Sequence, residues 1–102
     1  MIPYRLLQSI KERLSEMYGA RFRGLLLYGS MARGDFGPDS DIDLLCLLDG
    51  PAEGELMRIV DAVYPLRLES DRAFHIIPVN EEVFLEGEMG FYRIAGREGV
   101  RV

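Results

Sequence analysis

The sequence predicts a single α/β domain over residues 1–102, with helices covering both faces of a small sheet. Three observations predict it. Segments with helical spacing of apolar residues alternate with short aliphatic runs along the chain. One such run, 41–48, is apolar on both faces beyond its first residues, so it needs cover above and below. Composition is that of a globular chain with one core, 48% hydrophobic and 28% charged.

Taken in order, Ile2, Leu6, Leu7, Ile10, Leu14 and Met17 recur at three- and four-residue steps, with Gln8, Lys11, Glu12, Arg13 and Glu16 between them. This is an amphipathic helix that Pro3 can open and Gly19 can end. Residues 21–28 follow as a first strand, too short and too apolar at their end for another helix. The loop 29–40 holds three glycines and Pro38, so it is not regular throughout, although Ser30 to Arg33 fits one helical turn. In the second strand, 41–48, side chains alternate: Asp41, Asp43, Leu45 and Leu47 share one face, and Ile42, Leu44, Cys46 and Leu48 the other.

After a turn at Asp49-Gly50-Pro51, Leu56, Ile59, Val60 and Val63 mark a second helix that Pro65 is expected to stop, with Leu66 and Leu68 beginning an extended segment. Residues 73–79 read as a third strand, in which Pro78 points to an edge position or the strand's end. Asn80 before Glu81, Glu82 and Val83 caps a short helix. Leu85, Met89, Tyr92 and Ile94 then fall at helical spacing, in a helix that Gly87, Gly90 and Gly96 weaken by about 1 kcal/mol each relative to alanine. Gly99 can end it, and Val100-Arg101-Val102 alternates like a final strand.

Charge and cysteine usage narrow the function. Twelve basic against 17 acidic residues leave a net charge of −5, so neither direct nucleic-acid binding nor an anionic membrane partner is expected. A phosphate-bearing ligand then needs a local device such as a metal ion. The one cysteine, Cys46, excludes an internal disulfide and reads as a small buried hydrophobe. No run approaches the roughly 18 apolar residues of a membrane span, and the start lacks a leader pattern, so a cytoplasmic protein is expected.

If the first two strands pair antiparallel, Gly29-Ser30 faces Asp41 and Asp43 at one end of the sheet. Glycine lets the backbone approach a ligand, and the Ser30 hydroxyl and following N–H groups suit phosphate oxygens. The two aspartates project about 6 to 7 Å apart along the strand. At an effective dielectric near 20 their charges repel by about 2.5 kcal/mol. A divalent cation such as Mg2+ removes this cost, and triphosphate oxygens can complete its coordination.

Gly29-Ser30, ten intervening residues and Asp41-Ile42-Asp43-Leu44 resemble the signature of the DNA polymerase beta-like nucleotidyltransferase superfamily. The fuller text, Tyr28-Gly29-Ser30 with Ala32-Arg33-Gly34 and Ser40-Asp41-Ile42-Asp43-Leu44-Leu45, is similar to its minimal nucleotidyltransferase branch. The resemblance implies a mixed sheet flanked by helices, Mg2+, and ATP or another nucleoside triphosphate whose nucleotidyl group passes to a hydroxyl. Asp41 and Asp43 then take the catalytic and metal-holding places, with Gly29 and Ser30 on the nucleotide. Arg33 either contacts phosphate or braces the loop.

The resemblance also implies a third carboxylate on a later strand, but 73–79 contains no acid. His75 is either the group in that place or a structural histidine, and Glu69 and Asp71 reach back only if the strand begins late. The general base is unassigned. Arg93, Arg97 and Arg101, four residues apart, present a basic face either to an acidic partner or to solvent.

Two function classes follow. Minimal proteins resembling this one commonly act as antitoxins beside helical HEPN-domain toxins, adding adenylyl groups to a tyrosine of the toxin, which implies transfer of AMP from ATP to a hydroxyl of such a partner. The other class is a catalytically impaired binding subunit that acts by contact. A small-molecule adenylyltransferase ranks below both, since no acceptor-binding domain is visible, and a homo-oligomer is left open.

Overall fold

The computed structural model describes every residue except Met1, Pro38, Glu88 and Met89, so the readings placed on Pro38 and Met89 lie outside the described residues. The elements run α1 (Tyr4–Tyr18), β1 (Phe22–Tyr28), α2 (Ser30–Arg33), β2 (Ile42–Leu48), α3 (Glu55–Ser70), β3 (Phe74–Asn80), α4 (Glu81–Glu86), α5 (Gly90–Glu98) and β4 (Val100–Arg101). The sheet order is β3-β2-β1-β4. β1 is antiparallel to β2 and β4, while β2 and β3 are parallel, which makes the sheet mixed.

The two-faced apolar pattern of 41–48 has the expected result, a central strand buried on both sides. Ile42, Leu44, Cys46 and Leu48 pack with Leu7, Ile10 and Leu14 of α1 and Ile59 and Val63 of α3. On the other face, Leu45 and Leu47 lie under Phe84 of α4 and Ala95 of α5. Each such side chain contributes about 1.5–3 kcal/mol on burial, so β2 joins both layers. Burial pushes the Cys46 thiol up to about 12, which leaves it protonated and unreactive. No helix among the described residues is long and apolar enough to cross a membrane.

Four expectations need correction. In α1, Met17 is exposed and Tyr18 takes the buried place, because the Tyr18 hydroxyl finds an acceptor in Glu55 at 2.7 Å. Pro65 does not stop the second helix, and Leu66 and Leu68 are helical. Pro65 and Asp61, whose carbonyl loses its donor, both face solvent, so water can replace the missing bond. The proline penalty of about 3 kcal/mol is offset because Val63 and Leu66, on the opposite face, are held by the core.

The two C-terminal helices divide later than expected, so that Leu85 belongs to the first, α4, and not to the second. Gly87, at φ 63°, ends α4 in the left-handed conformation, so Leu85 and Ile94 do not share a stripe and both are exposed. Phe84 and Ala95 carry the packing instead, with Tyr92 edge-on to Phe84 at 5.8 Å between ring centres. Arg101 lies on β4, where it donates to the Arg23 carbonyl, so it shares no helix face with Arg93 and Arg97.

β3 is an edge strand, as Pro78 suggested, and the placement of Pro78 explains its tolerance. The Ala73 carbonyl accepts from the Ile42 N–H at 3.1 Å. Backbone groups alternate sides along a strand, so residues 75, 77 and 79 also turn toward β2 while 74, 76, 78 and 80 turn outward. The donor that Pro78 lacks is therefore one that β2 never uses. Asn80 then caps α4, accepting from the N–H groups of Glu82 and Val83 at 2.9 and 3.4 Å.

Candidate active site

Strand register assembles the site. Tyr28 at the end of β1 lies opposite Asp43 near the start of β2, and His75 near the start of β3 lies opposite the same Asp43. Neighbouring residues in register share a face, so the three side chains rise together. Asp41 just precedes β2, and its Oδ2 is 3.2 Å from the His75 Nε2.

Gly29 closes the other side at φ 78° and ψ −158°, a backbone region that is essentially reserved for glycine. A Cβ there would stand 2.7 Å from the Asp43 Oδ2. Gly29→Ala is therefore expected to cost about 1–3 kcal/mol from backbone strain alone, seen as a lower melting temperature, and to move the Asp43 carboxylate. Unchanged melting would contradict this packing.

After Gly29, the Arg33 N–H makes the first bond of α2, to the Gly29 carbonyl at 3.2 Å. The N–H groups of Ser30, Met31 and Ala32 precede that bond and have no acceptor within the helix. The buried Met31 anchors the turn. Its loop is fixed farther on by Ser40, whose hydroxyl accepts from the Gly37 N–H at 2.9 Å and whose carbonyl accepts from Arg72 at 3.4 Å.

The site is electrically unbalanced. Burial pushes the Asp43 carboxyl up, His75 opposes this, and the like charge of Asp41 adds to it. Burial also raises the Tyr28 hydroxyl, with the Asp43 charge contributing. Among the described residues no group donates a side-chain hydrogen bond to Asp43. Nor does any set of three histidines, cysteines or acids stand together as a metal cage among them. Asp43 without a donor, beside Asp41 whose one side-chain partner among the described residues is His75, suits a hard divalent cation that takes its remaining oxygens from ligand and water, which is how Mg2+ is usually held.

Other candidates lie elsewhere or in a bracing role. Arg33 reaches Asp35 at 3.3 Å and Glu98 at 3.7 Å, so here it ties the loop to α5. Glu69 is helical and lines a depression with Arg5 and Ser9 of α1, and Asp71 ends α3 at φ 54°. The third strand starts after both, so neither joins the aspartates. Sequence reasoning gave no role to Tyr28, Arg72 or Glu98; the adjacency of Tyr28 to Gly29 was the one signal available.

Residues 7–93 match the nucleotidyltransferase domain family. The chain belongs to that family. A Methanocaldococcus jannaschii relative, provisionally named a protein adenylyltransferase, is 32% identical over 80 residues, 76% of this chain and 76% of its own. Aminoglycoside nucleotidyltransferases (4') from Staphylococcus aureus and a Bacillus species are 36% identical over 44 residues, and that match spans 43% of this chain but 17% of theirs.

Among solved structures, a chain from a toxin–antitoxin crystal structure with AMP-PNP superposes at a TM-score of 0.67 and 12% identity, covering 98% of this nucleotidyltransferase domain and 72% of that chain. A chain from a mutant toxin–antitoxin MntA-HpeT structure does so at 0.64 and 13%, covering 100% and 72%. A Sulfolobus solfataricus protein, provisionally named a nucleotidyltransferase, gives 0.57 at 23%, covering 96% and 79%. These likenesses bear on the fold, and they agree with the mixed sheet flanked by helices.

Proposed function

We propose that this nucleotidyltransferase domain transfers AMP from Mg2+-bound ATP, with release of pyrophosphate, to a hydroxyl of a partner protein, a helical HEPN-type toxin for which it serves as antitoxin. The observation that carries the reading is Gly29 packed against Asp43, with Asp41 and His75 at the same sheet end. Family membership and the name of the archaeal relative support nucleotidyl transfer to protein, and toxin–antitoxin complexes contain chains of this fold. The buried free thiol of Cys46 suits the reducing cytoplasm.

In this reading Asp41 and Asp43 hold the metal, and Gly29 lets a phosphate approach the backbone. Ser30 and the N–H groups that open α2 donate to phosphate oxygens. Arg33 turns from Asp35 and Glu98 to the nucleotide's charge. When bound, the metal supplies stabilisation of charge on the phosphoryl oxygens and a lowered pKa for the attacking hydroxyl. His75, with Nε2 3.2 Å from the Asp41 Oδ2, orients that carboxylate.

The test is transfer from ATP labelled at the α- or the γ-phosphate, in the presence of Mg2+ and the neighbouring-gene partner. Label from the α-position alone, abolished by chelator, is expected; label from neither position would overturn the reading. A second reading, a binding subunit impaired in catalysis, is favoured by His75 standing where the resemblance implies an acid. It predicts a stable complex and full control of the partner with no label at all.

A further inference from the structure

The outer edge of β3 is chemically uneven. Phe74 and Ile76 turn their N–H and C=O groups away from β2, whereas Pro78 leaves the far half without a donor. No strand pairs with that side among the described residues. The half still able to accept a strand is the half beside His75 and the carboxylates.

Beneath this half lies a crevice of about 70 Å³ between β3 and α3, whose lining includes Val60, Tyr64, Arg67, Phe74, His75 and Ile76. It has room for one short aliphatic side chain. On its rim, Arg67 is exposed, and among the described residues no carboxylate lies within ion-pair distance of it. An edge with free backbone groups, an apolar slot and a free cation therefore meet at the mouth of the site.

We propose that the acceptor segment of the partner protein docks in extended form along β3 at Phe74–Ile76, seating an aliphatic side chain against Val60 and Tyr64 and a carboxylate on Arg67. This rests on the proposed transfer reaction and names how its acceptor is held. Side chains of an added strand alternate faces. The residue level with His75 therefore rises on the face of Asp43, while its immediate neighbours point into the crevice. The hydroxyl residue is thus flanked directly by an aliphatic one. The added strand lies two strand spacings, about 10 Å, from β2, so the acceptor residue reaches the carboxylates through a long side chain, in keeping with the tyrosine that the family resemblance already implies, and serine falls short.

The experiment uses the full chain, ATP labelled at the α-phosphate and an oriented peptide library with fixed central tyrosine or serine, alongside the intact partner. Expected is labelling of tyrosine peptides, at least tenfold above serine ones, with leucine, isoleucine or valine selected next to the tyrosine and acids selected nearby. Arg67→Glu should change the acidic preference to a basic one, and Tyr64→Ala should weaken labelling about tenfold through KM. Both positions are exposed, and melting curves and ATP affinity should match the parent protein. Labelling with no positional preference, or labelling of the intact partner unmoved by both variants, would overturn the docking mode and leave the transfer reaction standing. Labelling of the intact partner but of no peptide would also overturn it. Absence of label on every acceptor would overturn the transfer reading itself.

Discussion

Asp43→Asn is expected to lower AMP transfer by on the order of 10³-fold while making the apo protein more stable. Activity falls because one of the two carboxylates proposed to hold the metal is lost. Stability rises because burial resists the Asp43 charge and the like charge of Asp41 adds to that resistance, with His75 opposing both. The repulsion of about 2.5 kcal/mol at a dielectric near 20 is screened by the exposure of Asp41, which reduces the gain to below about 1 kcal/mol. For a domain of this size that corresponds to a melting temperature roughly 2–5 °C higher.

The sign with pH follows. A carboxyl raised above its ordinary value destabilises the fold above that raised value, and the penalty fades as pH falls through it toward the ordinary range. The apo protein should therefore gain stability on mild acidification through this group, and Asp43→Asn should remove that gain. Mg2+ with ATP should raise the melting temperature of the parent protein and not of the variant. Differential scanning fluorimetry across pH, with and without Mg2+ and ATP, checks all three. A variant that melts lower than the parent, or that still transfers AMP, would contradict the role given to this carboxylate.

The parts legible in the sequence were those set by local chemistry. The alternation in 41–48 located the central strand, and the carboxylates at its start marked the end of the sheet where the candidate site lies. Asn80 announced its helix through a side-chain cap that needs only two neighbouring N–H groups. What escaped depended on partners far along the chain. Pro65 breaks a helix in isolation, but here α1 and the sheet hold Val63 and Leu66 and the helix runs through. Gly87 signalled a weak helix, whereas a left-handed residue at that point divides two packed ones. His75 looked ambiguous because its significance comes from register with Asp43 across a parallel pair, which no local pattern encodes.

Glu55 escaped for the same reason, and its replacement carries the largest stability effect expected. It is the one charged side chain that is buried, 2% exposed, among the described residues. Its Oε2 accepts from the Tyr18 hydroxyl at 2.7 Å, and its Oε1 accepts from Arg21 at 3.0 Å and from the Ala52 N–H at 3.2 Å. Arg21 also donates to the carbonyls of Asp49 and Gly50, so one carboxylate joins the end of α1, the turn after β2 and the start of α3. Removing one partner of a buried ion pair costs about 3–5 kcal/mol. Arg21 is 40% exposed and can regain water, which places Glu55→Ala near about 2–3 kcal/mol, or roughly 10–20 °C in melting temperature.

The hydrogen bond from Tyr18 is the main reason the Glu55 carboxyl lies below its ordinary value, with the Ala52 N–H and Arg21 contributing and burial opposing. A lowered carboxyl contributes stability that is fully present above the ordinary glutamate range and is lost as pH falls through the lowered value. Glu55 and Asp43 thus act in opposite directions on acidification. Glu55→Gln, which keeps the shape but not the charge, should remove the loss of stability that this group contributes at acid pH, and Asp43→Asn should remove the opposing gain. Chemical denaturation at a series of pH values checks this, and a Glu55→Gln profile parallel to that of the parent would show that the carboxylate's charge does not join α1, β2 and α3.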